Sequence, residues 1–388
     1  MRQADRVRFV LGALIVAALL AGTVAALGDV GRGGGGNGSG GNGAGGDPAR
    51  PDGAPGAAEE PDPPAPRVAV VWGADDIRAA ARRLARAPWV SSASVLERGT
   101  VLLRARRPGL AIPLDVVGVD PGGYARLVAE RDRRAVRRLR PGRALLSETS
   151  ARLRGRRSGD LRLVGGGRLR AVGVVEDATA QAGEVLVHGR EPRVDAEPRN
   201  IAVILRRDGV TRAAIARRAG GGAHARHADD PRGPAGRGPA RPAELKTRFG
   251  EPAVQLPYGR DWVRLDPAFV RRHIVAGRVP VLGSVTCHRR MLPALRRAMA
   301  ELQQRGLGRL VDPGDYAGCY APRRIRPGGP LSLHAWGLAV DLNASRNPFG
   351  GRSRQDPRLV RAMKRHGFSW GGDWPTVRDP MHFELRGR

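Results

Sequence analysis

Ser332-Leu333-His334-Ala335-Trp336-Gly337-Leu338-Ala339-Val340-Asp341 is the stretch on which the reading of this chain turns. Gly337 permits a tight turn, and Leu338 to Leu342 has the apolar run of a buried strand. Asp341 sits inside that run. A carboxylate there costs on the order of several kcal/mol unless it is paired or holds a cation, so partners are expected elsewhere. Asp379-Pro380-Met381-His382-Phe383-Glu384-Leu385 supplies them. Its alternation puts His382 and Glu384 on one face of a terminal strand and Met381, Phe383 and Leu385 on the other. His334, Asp341 and His382 are a sufficient set for a catalytic zinc (Zn2+), which takes three protein ligands and keeps a fourth position for water. Asp379, held by Pro380 just before His382, is placed to act as general base on that water.

Upstream lies Gly318-Cys319-Tyr320-Ala321-Pro322-Arg323-Arg324, a cysteine-anchored loop with two guanidinium groups. A guanidinium can fork onto a substrate carboxylate or steady an oxyanion; Arg324 reads rather as surface charge. Cys287 and Cys319 are the only cysteines, and an even count in an exported chain reads as a disulfide. A structural zinc on Cys287, His288 and Cys319 is the weaker alternative, since no CxxC pair is present. Leu292, Leu295, Met299 and Leu302 share one helix face, and Asp356-Pro357 starts another helix that Gly367 ends. These pieces describe an α+β domain over residues 243–388, with a small antiparallel sheet and flanking helices. Trp336, Trp370 and Trp374 are candidates for a cleft wall or, equally, for core packing.

The SxHxxGxAxD pattern, followed by WGGDW and DxxHFE, resembles the zinc peptidases of peptidoglycan that include VanY-like D-alanyl-D-alanine carboxypeptidases and phage L-alanyl-D-glutamate endopeptidases. The resemblance runs through FGE, VPVLGSVTCHRR, GCYAPRR, LSLHAWGLAVDLN, NPFGG, GFSWGGDW and DPMHFEL. By position it implies zinc ligands His334, Asp341 and His382, a general base at Asp379, and a substrate or oxyanion role for Arg323. The implied substrate is the peptidoglycan stem peptide. Two departures stand out: some members carry Glu where this chain has Asp379, and His288 occupies a position where Asn is more usual.

Outward from this region, residues 219–242 form a Gly/Pro-rich break whose His224 and His227 read as linker residues rather than ligands. Residues 68–218 alternate short β-rich runs with helices, a separate α+β domain: Val68 to Trp72, a helix Asp75 to Ala87, strands near Val95 and at Val101 to Leu103, and others downstream. Within it, IPLDVVGVDPGGYARLV and LRPGRALLSETSARLRGRRSGDLRLVGGGRLRAVGVVEDA loosely resemble the extracytoplasmic core domain of FtsX-like and MacB-like permeases, which implies an interaction module with a protein partner. Residues 31–67 are a Gly/Asn-rich then Pro-rich tether. Within residues 1–30, Arg2, Arg6 and Arg8 precede the uncharged run Phe9 to Leu27, a signal peptide or a signal anchor that reaches the membrane if uncleaved. Either way the rest of the chain is expected outside the cytoplasm, at the cell wall.

The 388 residues allow about two or three domains of ~150 residues each. The 55 Gly and 31 Pro fall in blocks, which excludes collagen and uniform disorder. The net charge of +30 is carried by arginine, since Lys246 and Lys364 are the only lysines. GC-rich codon usage explains that bias as readily as a nucleic-acid surface. No aromatic-interleaved basic stripe, zinc finger or helix-turn-helix accompanies it, so no nucleic acid is expected as partner; a basic surface suits acidic polymers. The rival reading is a catalytically silent wall-binding or scaffold protein acting through residues 68–218. A complete ligand set with its base argues against it.

Overall fold

Ala69 and Val71 of Val68–Trp72 are fully buried while their neighbours are not, the alternation of a strand with one covered face. In the computed structural model, which describes residues 68–180, 183–194, 196–206, 209–227, 242–325, 329–374 and 377–385, this strand belongs to a large sheet. The segments read as signal or anchor (1–30) and tether (31–67), and residues 228–241 of the second Gly/Pro stretch, lie outside the described residues. The first region runs β1 (Val68–Trp72), α1 (Ile77–Ala85), β2 (Val90–Arg104), β3 (Leu110–Val119), α2 (Pro121–Tyr124), α3 (Glu130–Arg137), β4 (Arg143–Ser147), α4 (Glu148–Arg154), β5 (Gly159–Arg162), β6 (Arg168–Val175), β7 (Val185–His188), β8 (Ala196–Leu205), α5 (Arg212–Ala219) and β9 (His224–His227). The strands lie in the order β5-β6-β4-β7-β3-β2-β8-β1-β9.

Two expectations change here. The separate strands near Val95 and Val101 are one long strand, β2, which stays paired by absorbing register shifts at Val90/Ser92 and Leu96/Glu97. His224 and His227, read as linker, bound an edge strand on β1, where His224 also stacks on Trp72. The free edge of β1 supplies hydrogen-bond partners that composition alone does not reveal.

The second region continues with α6 (Pro242–Phe249), β10 (Val254–Gln255), α7 (Pro267–His273), β11 (Ile274–Val279), β12 (Gly283–His288), α8 (Leu292–Gln304), β13 (Ala339–Asp341), α9 (Pro357–Arg365), β14 (Phe368–Trp370) and β15 (His382–Leu385). As the apolar spacing predicts, α8 buries Leu292, Leu295, Met299 and Leu302, and α9 begins at an Asp356 cap whose side chain accepts from Arg358 N. Two small antiparallel sheets result, the hairpin β11-β12 and the three-stranded β13-β15-β14. The architecture is α+β.

Composition divides the chain near residue 242, yet the packing continues across that point. The described residues between 68 and 385 fall in one compact unit. β10 adds to β3 at Leu110 and Ala111, and Ala111 belongs to the same apolar core as Leu295 and Phe383. Between the regions lies a buried ionic knot. Glu184 accepts from Lys246 Nζ at 2.6 Å and from Arg154 at 2.9 Å, and Arg154 also reaches Glu251 at 3.0 Å.

Candidate metal centre

His334 sits on a short 3-10 turn, Leu333–Trp336, whose Ser332 hydroxyl accepts from His334 N at 3.3 Å. Gly337 ends the turn at φ 65°, and a Cβ there would come within 2.6 Å of His288 N, so only glycine lets the chain pass. The chain then enters β13, which carries Asp341 directly opposite His382 on antiparallel β15. The structure thus brings the three predicted ligands together. His334 Nε2 lies 3.2 Å from Asp341 Oδ2, His382 Nδ1 lies 2.9 Å from Asp341 Oδ1, and the two ring nitrogens are 3.3 Å apart. One ligand atom from each falls within 4.8 Å of the others. All three residues are buried.

The electrostatics call for positive charge at this point. Burial would raise the Asp341 carboxyl, but His334 and His382 hold it far below the usual carboxylate range. Burial likewise opposes charge on His382, yet the Asp341 and Glu384 carboxylates push it up to about 10. The outward ring nitrogens are engaged: His334 Nδ1 donates to the Cys319 carbonyl at 2.9 Å, and His382 Nε2 faces Glu384 Oε2 at 3.6 Å. That leaves the inward nitrogens, with the Asp341 carboxylate, as a buried donor set of two imidazoles and one carboxylate. The chemistry fits zinc.

Asp379 stands beside the trio. Gly371 O accepts from Asp379 N at 3.0 Å, Trp370 Nε1 donates to Pro380 O at 2.8 Å, and Asp379 O accepts from His382 N at 3.1 Å. A side chain at Gly371 would strike Asp379 O at 2.5 Å. Asp379 Oδ1 is buried with no hydrogen-bond partner among the described residues. Burial first, then the Asp341 charge, pushes its carboxyl up to about 6 against His382, His334 and Arg323.

Cys287 and Cys319 are joined as a disulfide with Cα atoms 5.4 Å apart, which corrects the alternative of a structural zinc on these sulfurs. The bond ties the 318–324 loop to β12, where Tyr320 N donates to Thr286 O and Ala321 N to His334 O, each at 3.0 Å. Within that loop the arginines divide. Arg324 is structural: it donates to Gly329 O and Gly259 O and lies 4.3 Å from the Tyr258 ring centroid. Arg323 is within electrostatic reach of Asp379. Of the tryptophans, Trp336 is buried and donates to Gly250 O, Trp370 stacks on Phe383, and Trp374 stands 5.3 Å from the His382 ring as a wall of the site. His288 is a core residue: Phe249 O accepts from its Nε2 at 3.0 Å, its Nδ1 accepts from Arg290 N, and burial pushes it down to about 4.

Residues 326–385 match the family described as D-alanyl-D-alanine carboxypeptidase. That match spans His334, Asp341, Asp379 and His382. Solved structures also resemble part of the chain: the periplasmic region of MacB from Actinobacillus actinomycetemcomitans (10% identity, 42% of this chain and 89% of that one, TM-score 0.30), a putative permease-protein domain from Porphyromonas gingivalis (17% identity, 41% and 86%, TM-score 0.27), and the extracellular domain of the noncanonic ABC-type transporter YknZ from Gram-positive bacteria (12% identity, 39% and 91%, TM-score 0.27). Of the outer partners, the Cys319 carbonyl has no counterpart in the sequence reading. A backbone carbonyl leaves no signal there, whereas the alternation in HFEL did place Glu384 on the His382 face.

Proposed function

We propose that this chain is a zinc-dependent peptidase that hydrolyses amide bonds in peptidoglycan stem peptides, as a D-Ala-D-Ala carboxypeptidase or an L-Ala-D-Glu endopeptidase. The observation that carries the reading is the buried His334, Asp341 and His382 trio beside the open Oδ1 of Asp379. The match of residues 326–385 to a carboxypeptidase family supports it. His334 Nε2, an Asp341 oxygen and His382 Nδ1 would hold the metal. Zinc in such a site supplies Lewis acidity to a carbonyl and makes water a competent nucleophile near neutral pH. Asp379 takes the proton of the attacking water at Oδ1 and returns it to the leaving amine, a role suited to a carboxyl raised toward neutrality. Arg323 offers its guanidinium to a substrate carboxylate or to the developing oxyanion. Trp374 beside His382 restricts water at the reacting centre. A place outside the cytoplasm, secreted or anchored through residues 1–30, belongs to the same proposal and is favoured by the disulfide. Residues 68–218 then serve as an interaction region for a protein partner.

The test is mass spectrometry of muropeptides after incubation with the whole chain and with its His382→Ala variant. Loss of one D-Ala identifies the carboxypeptidase, and a cut between L-Ala and D-Glu the endopeptidase. Unaltered muropeptides with zinc-loaded protein would refute the reading.

A further inference from the structure

We propose that Trp262 is a specificity-determining residue: its indole covers the side chain of the C-terminal amino acid of the peptide, whose free carboxylate Arg323 receives, so that the chain acts as a carboxypeptidase. The inference rests on the peptidase reading and deepens it. Among the described residues the exposed large apolar side chains are Val172, Trp262, Ile325, Phe349 and Val377. All but Val172 lie on two segments that adjoin Arg323 and Asp379, and exposed apolar surface gathered in this way marks a contact site. The first segment is an extended stretch beside the disulfide-tied loop. Val263 N donates to Pro322 O at 2.9 Å and Arg324 N donates to Asp261 O at 2.8 Å, which sets Trp262 directly opposite Arg323. Those two hydrogen bonds flank the facing pair instead of joining it, the antiparallel arrangement in which opposed side chains stand closest and leave the same face. Arg324, next along, turns the other way onto the Tyr258 ring and the Gly259 and Gly329 carbonyls. Arg323 is therefore the guanidinium that shares a face with the indole, and it is the one within electrostatic reach of Asp379. Trp262 is 56% exposed, whereas Trp336 is spent in the core. The second segment carries Phe349 and Val377, where Gly350 N donates to Arg378 O at 2.8 Å, one residue before Asp379. One apolar rim thus adjoins the proposed carboxylate-binding group and the other the proposed base. A guanidinium with an indole beside it suits a small apolar side chain that bears a terminal carboxylate: the fork fixes the charge, and the ring takes the methyl out of water. The D-alanine terminus of a stem peptide offers both. A chain that continued past this point would present an uncharged amide to Arg323 and forfeit the ion pair.

The experiment compares the zinc-loaded whole chain with its Trp262→Ala, Trp262→Phe and Val172→Ala variants on three synthetic stem peptides. One ends in D-Ala-D-Ala, one in D-Ala-Gly, and one in D-Ala-D-Ala with its terminal carboxyl amidated. Trp262→Ala should raise KM for the D-Ala-D-Ala peptide roughly 10-fold at nearly unchanged kcat. It should leave KM for the D-Ala-Gly peptide within about twofold, since glycine has no methyl for the indole to cover, a selectivity that a merely structural role does not produce. Trp262→Phe should recover most of the loss, and Val172→Ala, an exposed residue of β6, should match wild type. Calorimetric binding of the D-Ala-D-Ala peptide to the metal-free chain should weaken by the same factor in Trp262→Ala, independently of turnover. Amidation should cost wild type at least about 10-fold in kcat/KM. Equal effects of Trp262→Ala on the D-Ala and Gly peptides, no effect on either, no recovery in Trp262→Phe, or an amidated peptide cut as fast as the free acid overturns the proposal. Should Trp262→Ala not fold, Trp262→Gln, which keeps bulk and loses the apolar face, takes its place with the same expected outcome. Zinc-loaded wild type that cuts none of the peptides sinks the peptidase reading and this inference together; wild type that cuts them with a KM indifferent to Trp262 sinks this inference alone.

Discussion

Two clusters of buried charge occupy this molecule, and they are built to opposite specifications. The knot between the regions pairs acid with base: Glu184 takes Lys246 and Arg154, Arg154 and Lys246 share Glu251, and Asp115 N donates to Glu184. Lys246 also donates to Pro113 O. The cluster at residues 334–384 sets acids against imidazoles, with Asp341 between two histidines, Glu384 outside them and an Asp379 oxygen that has no hydrogen-bond partner among the described residues. Charge matched within the chain fastens two parts of a fold. Charge that stays matched only while a proton or another cation is supplied marks a place for a ligand.

The comparison breaks most sharply if the second cluster turns out to hold no metal. His334→Ala, Asp341→Ala and His382→Ala should each abolish stoichiometric zinc, read by elemental analysis, and remove activity entirely, because three ligands are the usual minimum. A His382→Ala protein with wild-type zinc content would dissolve the distinction.

Asp379→Asn should keep zinc and lose about 10²- to 10⁴-fold in turnover, since an amide can neither accept the proton of water nor return it. Loss of zinc instead would make Asp379 a ligand, and near-normal turnover would move the base elsewhere.

Glu184→Ala should do the reverse of both. It leaves Glu251 as the one carboxylate described against both Lys246 and Arg154 and should cost about 3–5 kcal/mol of stability, measured by denaturant unfolding, while the folded fraction still binds zinc. A variant as stable as wild type would show that the knot is ornamental.

Reduction of Cys287–Cys319 tests the link between scaffold and site at a smaller scale. The freed loop carries the carbonyl that orients His334, so zinc affinity should fall roughly 10-fold along with activity. Activity falling at unchanged affinity would assign the loop to Arg323 alone.

The smallest effect concerns Asp115, whose carboxyl is pushed up to about 6 by burial and by Glu184, against Lys246 and Arg98. Because its folded pKa lies above the unfolded one, its contribution favours the fold below about pH 4 and is lost as pH rises through about 6. Asp115→Asn should therefore raise the melting temperature by a few degrees at pH 8 and leave it unchanged at pH 4. A gain of the same size at both pH values would exclude titration as its cause.

How much of this was legible in the residues differs between the two clusters for a physical reason. Asp341 inside Leu338–Leu342, and His382 with Glu384 on one strand face, are local patterns: apolar runs and period-two alternation expose a misplaced charge wherever it occurs. The helices at Leu292 and Pro357 and the turn at Gly337 are equally local, being written in spacing, caps and a φ that glycine tolerates. Nothing local marks Lys246 or Glu184 as partners, because their pairing depends on α6 being laid against the first sheet from far along the chain. The same holds for β9 on the edge of β1 and for the Cys319 carbonyl on His334. The sequence by itself therefore determined the α+β class and offered three candidate ligands and a candidate base. Only the tertiary structure decided which nitrogen of each histidine faces inward and that Ala111 of the first region joins the apolar core of the second, since hydrogen-bond geometry and burial are properties of chain segments brought together and not of any segment alone.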